Sequence, residues 1–285
     1  MDYNPVNRFE TKVWDVEFRR TPARTLMARI YQPQGNGPFP ALLDLHGGAW
    51  NNQDRTANAP MDEKLAASGI LVVAVDLTLA PEAPYPASLA DANYGIRWLK
   101  AKARDWNGNP ATVGALGSSS GGHVVELCGM RPRDPRYNAH PLAEGPGTDA
   151  TLLYVATRSP VSDPFARYLN AEKRQRTEMM QFSKTYFNPW ENVHEGNPQE
   201  ILDRREAVAL PPMLIMQGEL DDNVLPEVQE KFANSYRAAG GDCQYEVFTG
   251  CEHRWVAEPG PQTDRAAEMV KEFIARQLRA HPLAA

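Results

Sequence analysis

The chain has 285 residues and a formal net charge of −6, with 42% hydrophobic and 23% charged residues. That mix is ordinary for a soluble globular protein, and the length suits one α/β unit carrying an insertion. Bulk charge of this sign excludes attraction to nucleic acid or an anionic membrane, and no stretch reaches the apolar length that spans a bilayer. The opening residues MDYNPVNRFETKVWD lack an apolar centre, so neither a signal peptide nor an anchor is expected there, and a cytoplasmic location is the expectation. Cys128, Cys243 and Cys251 match no zinc spacing and are odd in number, which points to reduced thiols.

In chain order, residues 13–18 and 25–33 read as two strands joined by a turn at Pro22, an antiparallel edge. ALLDLH (41–46) is an apolar run of buried-strand type, and 58–69 is a helix stopped by Gly69. ILVVAVD (70–76) is continuously apolar and β-branched, as a central parallel strand should be. Residues 87–106 carry Leu89, Ala92, Ile96, Leu99 and Ala103 at helical spacing. ATVGALG (111–117) reads as a strand with a helix after it, and 151–157, 212–218 and CQYEVFTG (243–250) as three more strands. Residues 226–241 and 263–278 read as helices. Helix-length connections between strands imply parallel pairing. The expectation is an α/β fold: a mostly parallel eight-stranded sheet with helices on both faces. It forms a single domain over 1–285, with a small helical cap insertion at 158–210, a stretch too long for a normal crossover. Within that stretch NAEKRQRTEMMQFSKTYF reads as one or two helices and NPWENVHEGNPQ as a loop.

The stretch ALGSSSGGH (115–123) fits G-x-S-x-G between a strand and a helix. In that setting the central serine, Ser119, is forced onto a sharp exposed corner, and the flanking glycines let the backbone turn there. A serine hydroxyl needs a base, and the base an orienting acid. On a strand–elbow–helix architecture the order is serine, acid, histidine. Asp221 and Asp222 stand just past the strand PMLIMQG, and His253 just past YEVF. LHGGAW follows the strand ALLDL, where a glycine-rich oxyanion loop belongs, so Gly47, Gly48 and the N–H of Ser120 are the candidate donors. His46 reads as a brace for that loop. The carboxylates around His253 fit no ligand spacing, so neither a metal nor an organic cofactor is expected.

These blocks, HGGAW, VDLTLAPEAPYPASLADANYGIRWL, GSSSGGH, LPPMLIMQGELDD and EHRW, resemble the α/β-hydrolase esterases of the hormone-sensitive-lipase-like group over roughly residues 40–255. The resemblance implies Ser119, Asp221 and His253 as the triad, with Gly47, Gly48 and Ser120 as the oxyanion hole. It prefers Asp221 over Asp222 for its position three residues after Gly218. Leu77 and Thr78 depart from the group's Tyr-Arg, and Ser120 from its Ala. The short segment before HGG is closer to the compact relatives: kynurenine formamidase, feruloyl esterases and acetyl esterases.

The expected activity is hydrolysis of small to medium acyl esters, with an arylformamidase-type amide hydrolase as the alternative. A lyase or a non-catalytic binding protein on the same fold also stays open. Trp50, beside the oxyanion loop, is the first candidate for a pocket wall. Met179, Phe182 and Tyr186 at helical spacing, with Trp190 beyond, are candidates for either pocket or core. The expected partner is a small-molecule ester, with no nucleic acid and no membrane insertion; a homo-oligomer is left open.

Overall fold

The computed structural model describes residues 3–281. Its sheet runs β1 (Thr11–Arg20), β2 (Thr25–Pro33), β4 (Leu71–Val75), β3 (Phe39–Leu45), β5 (Gly108–Ser118), β6 (Val155–Arg158), β7 (Met213–Gly218), β8 (Cys243–Phe248), eight strands in that spatial order. β1 and β2 pair antiparallel at one edge, β2 meets β4 antiparallel, and every later pairing is parallel.

Alternation along each strand divides the core in two. Leu43, Leu45, Val73, Val75, Ala115, Val155 and Ile215 face α2 (Ala87–Lys102), α3 (Ser120–Met130) and α8 (Pro226–Ala238), which contribute Leu89, Ile96, Val124, Leu127, Phe232 and Tyr236. Leu42, Val72, Ala74, Leu116, Ala156, Leu214 and Met216 face α1 (Ala59–Ala67) and α9 (Pro261–Ala280), through Met61, Leu65, Val270, Phe273 and Ile274. Strands covered on both faces have no polar side to show, which is why residues 71–75 are apolar throughout.

Chain order reverses at β3, which lies between β4 and β5. In open α/β sheets such a reversal leaves a crevice beyond the carboxyl ends of the strands, where ligands bind. The HGG loop leaves β3 and the serine run leaves β5 at that crevice.

Several boundaries differ from the sequence reading. β5 starts at Gly108, because Phe39 and Pro40 pair with Gly108 and Asn109 before a register shift. The strand expected at 151–157 is only Val155–Arg158; Leu153 and Tyr154 reach β5 through single backbone bonds ahead of the ladder. The helix expected to reach residue 106 ends at Lys102 and tightens into a 3-10 turn over Ala103–Trp106. Between β6 and β7 lie α4 (Pro164–Lys173), α5 (Thr177–Tyr186), α6 (Asn192–Glu195) and α7 (Pro198–Asp203). The last two occupy much of what reads as a loop. Asn197 caps α7 by accepting from the Glu200 N–H at 3.2 Å, and Pro198 suits the first helical turn, so Asn-Pro here is a helix start.

One buried polar chain ties α3 to α8. Ser162 Oγ lies 2.9 Å from Glu126 Oε1 and 2.8 Å from Gln229 Oε1, while Gln229 Nε2 donates to the Pro160 carbonyl. A hydroxyl has one proton, so one of its two acceptor neighbours must bring another. Glu126 is that group: burial outweighs the Ser162 hydrogen bond and pushes its pKa up to about 8. The folded protein therefore keeps a proton that the unfolded chain has released above the ordinary value of 4.5, and stability falls as pH rises between those two values. Raising pH from 5 to 8 is expected to cost wild type about 3 kcal/mol more than Glu126→Gln, read from urea midpoints at both pH values. Parallel pH dependence in the two proteins would mean that Glu126 is already ionised when folded.

Candidate active site

Ser119 sits between β5 and α3 with φ 52° and ψ −117°, a conformation that L-residues adopt only when their surroundings enforce it. The enforcement is local. The Ser119 N–H donates to the Arg158 carbonyl at 2.9 Å, and the Ser119 carbonyl accepts from the His123 and Val161 N–H groups. A Cβ at Gly117 would stand 2.5 Å from the Gly121 carbonyl oxygen, and one at Gly121 would stand 2.3 Å from those of Leu45 and His46. No side chain fits either gap, so the glycines of G-x-S-x-G are required by close backbone approach.

A buried polar stack supports the elbow. Arg158 Nη2 donates to Ser118 Oγ at 2.7 Å, Ser118 Oγ donates to Asn58 Oδ1 at 3.1 Å, and Asn58 Nδ2 donates to the Asp44 carboxylate at 2.9 Å. Burial pushes the Asp44 and Asp62 carboxyls up, against the opposing charge of Arg158. Ser118 is thus spent on structure, which leaves Ser119 as the hydroxyl at the crevice.

Three loops at the carboxyl ends of β5, β7 and β8 converge there. Ser119 Oγ lies 3.0 Å from His253 Nε2, and His253 Nδ1 lies 2.8 Å from Asp221 Oδ2. A carboxylate only accepts, so Nδ1 carries the proton and Nε2 is free to accept from the serine. Asp221 Oδ1 accepts from the N–H groups of Asn223 (3.0 Å) and Val224 (2.8 Å), and Gln217 Nε2 reaches Oδ2 at 3.2 Å. Burial pushes the Asp221 carboxyl up, but the bond and charge of His253 and the Val224 N–H outweigh it and hold the pKa below the usual range. Asp222, the other candidate, turns outward to Arg174 at 3.0 Å and to Arg176. The 3-10 turn His253–Ala257 holding the histidine is fixed by Trp255, which stacks on Phe248 and donates to Ser159 Oγ at 3.3 Å.

The HGG loop after β3, the candidate oxyanion loop, is backbone in unusual conformations: φ is 92° at Gly48, 52° at Ala49 and 61° at Trp50. Gly47, Gly48 and Ser119 share the wall of one cleft. The N–H groups of Gly47, Gly48 and Ser120 donate to no protein acceptor among the described residues, so they are available to a ligand oxygen. His46 is buried, and its Nδ1 lies 2.8 Å from the Gly47 carbonyl, a bracing contact; burial pushes its pKa down and keeps it neutral.

Ser120 does more than its backbone requires. Its Oγ accepts from the buried Trp50 backbone N–H at 3.1 Å and so ties the HGG loop to the elbow. Removing an acceptor from a buried N–H costs about 1–3 kcal/mol. Ser120→Ala is therefore expected to lower unfolding free energy by about that amount, read as a shift in urea midpoint. An unchanged midpoint would mean that only its N–H matters.

The cleft measures about 560 Å³. Met179 and Phe182 line it, whereas Trp50, Tyr186 and Trp190 do not. Trp50 is buried: its ring stacks on Tyr186 at 4.8 Å and 6°, and its Nε1 donates to His123 Nδ1. His123 Nε2 in turn donates to the Gly196 carbonyl at 2.7 Å, and burial pushes its pKa down to about 4. Tyr186 is fully buried with its hydroxyl on Ser88, and Trp190 packs against Tyr168. These three aromatics join the β3 loop, α3 and the 164–203 helices from behind instead of forming the wall. Polar residues that the sequence did not single out complete the cleft, among them Asn52, Gln53, Arg167 and Asn223. Only Asn223 carried a signal, its place beside the Asp-Asp pair.

The strand order, the strained serine after β5 and the acid and histidine after β7 and β8 define the class: an α/β-hydrolase. A family profile described as BD-FAE matches residues 29–236, and the chain belongs to the BD-FAE family. Esterase LipC of Mycobacterium tuberculosis is 25% identical over 83% of this chain and 58% of its own length. Carboxylic ester hydrolase LipN of the same organism is 36% identical over 42% of this chain and 33% of its own. The chain spans little more than half the length of LipC and LipQ, at 58% and 55%. Among solved structures, the propionate-bound esterase Est2 of Thermogutta terrifontis superposes with a TM-score of 0.72 at 22% identity, covering 94% of each chain. The carboxylesterase EstE1 from a metagenomic library superposes with a TM-score of 0.75 at 21% identity, covering 95% of this chain and 90% of its own. Likeness at that identity carries the fold.

Proposed function

We propose that this chain hydrolyses carboxylic esters with small to medium acyl groups, through an acyl-enzyme on Ser119. The observation that carries the reading is the continuous hydrogen-bonded line from Ser119 Oγ through His253 to Asp221, at 3.0 and 2.8 Å, on the wall of a cleft shared with free backbone donors. In this reading His253 Nε2 takes the Ser119 proton as the oxygen attacks the acyl carbonyl. The N–H groups of Gly47, Gly48 and Ser120 hold the resulting oxyanion. His253 then gives the proton to the departing alcohol, and water repeats the cycle on the acyl-enzyme. Asp221 keeps the histidine in the required tautomer and opposes its positive charge when it is protonated. Membership in the BD-FAE family and the esterase names of the relatives support an ester as substrate, within the hormone-sensitive-lipase-like group.

The test is a series of p-nitrophenyl esters from acetate to decanoate, run beside a formanilide. Turnover highest for the shorter esters is expected, because the cleft of about 560 Å³ is walled by Met179, Phe182 and several polar groups instead of a long apolar channel. Cleavage of the formanilide with no cleavage of any ester would replace the esterase reading with the amide one.

A further inference from the structure

Arg167, on α4, is 4% exposed and lines the cleft. Its Nε donates to Asn223 Oδ1 at 2.9 Å, and Nη1 reaches Ser183 Oγ only at 3.5 Å. Nη2 donates to no protein acceptor among the described residues, and no carboxylate oxygen of these residues lies within 4.0 Å of the guanidinium. The guanidinium carbon sits 5.5 Å from the Trp50 ring, a cation–π contact that offsets only part of the cost of burying a cation. The comparison with Arg158 is instructive: that buried arginine has Asp44 and Asp62 as counter-charges. The carboxylate that acts on Arg167 is Asp221, already bonded to His253 and to two backbone N–H groups, while the like charge of Arg176 opposes it. Burial pushes the Arg167 pKa down, to about 10, which leaves it fully charged at neutral pH. Glu178 and Glu258 also border the cleft, but both are exposed, and water screens them.

A desolvated cation with unused donors on a cleft wall is a binding group for an anion. We propose that Arg167 is an anion subsite of this cleft, selecting esters that carry a carboxylate on the acyl or the alcohol half. The inference rests on the ester-hydrolase reading for its substrate class. Planar carboxylates match the fork of a guanidinium, and burial makes the pairing far stronger than a surface ion pair.

The test compares kcat/KM within matched pairs. For the acyl half, monoethyl succinate, glutarate and adipate are set against their diethyl esters. For the alcohol half, 3- and 4-acetoxybenzoate are set against phenyl acetate. Wild type is expected to favour the acid-bearing member of at least one set by about tenfold or more, and Arg167→Met to erase that preference. Arg167→Lys, which keeps the charge without the fork, is expected to retain part of it. Loosening Asn223 by these substitutions lowers turnover of both members alike and leaves their ratio untouched, so a purely structural arginine fails this readout. Neutral esters cleaved with no preference for acids would overturn the subsite while leaving the esterase reading intact. A preference that survives Arg167→Met would overturn its assignment to Arg167. If no ester is cleaved, calorimetric titration of adipate and benzoate still decides. Binding by wild type that Arg167→Met loses supports the subsite, and no binding by wild type overturns it.

Discussion

Ser119→Ala is expected to lower kcat on p-nitrophenyl acetate by about 10⁴-fold or more while leaving the thermal midpoint within a few degrees of wild type. The magnitude follows from the step removed: without the hydroxyl no acyl-enzyme forms, and only the oxyanion donors and substrate binding remain. The preserved fold follows from the contacts. Ser119 holds the elbow through its backbone N–H and carbonyl, and its Oγ touches His253. Neighbouring serines give the contrast. Ser118 bridges Arg158 and Asn58, and Ser120 holds the Trp50 N–H, so their alanine variants are expected to show in stability before activity. Residual activity within about tenfold of wild type in Ser119→Ala would remove the serine from the mechanism.

The second large effect separates two adjacent carboxylates. Asp221→Asn is expected to reduce kcat by about 10³- to 10⁴-fold, because an amide offers His253 Nδ1 a donor where an acceptor is needed and turns the imidazole to the wrong tautomer. Asp222→Asn is expected to change kcat by no more than about threefold, since its partners are Arg174 and Arg176 on the outer surface. Steady-state kinetics of the two variants on one ester suffices. Equal losses, or a greater loss at Asp222, would remove Asp221 from the role of the acid.

The features legible in sequence are those carried by local pattern and chain order. The all-apolar run at 71–75 marks a strand covered on both faces, and the GSSSG run between strand and helix marks the elbow. Order along the chain, with the acid after β7 and the histidine after β8, brings three distant residues to one place because parallel strands all end on the same side of the sheet. What sequence could not give is which way a side chain faces in three dimensions. Tyr186 shares helical spacing with Met179 and Phe182, yet it turns into the core to stack on Trp50. Trp50 stands beside the HGG loop, yet its indole points back to His123. Arg167 carries no pattern at all: nothing in DPFARYLN says that its arginine is buried. The sequence reading gives Ser120 a candidate role through its N–H alone, and the bond of its hydroxyl to the Trp50 backbone N–H spans a sequence distance no local rule covers.

The most direct measurement is the site of covalent capture. Wild type is treated with diisopropyl fluorophosphate, and the modified residue is located by fragmentation mass spectrometry, with Ser119→Ala in parallel. One adduct per chain, on Ser119 and absent from the variant, is the expected result, because the reagent reports a serine activated by a neighbouring base beside oxyanion donors. An adduct on Ser118, Ser120 or any other residue, or none on folded protein, would contradict the assignment of Ser119 as the nucleophile.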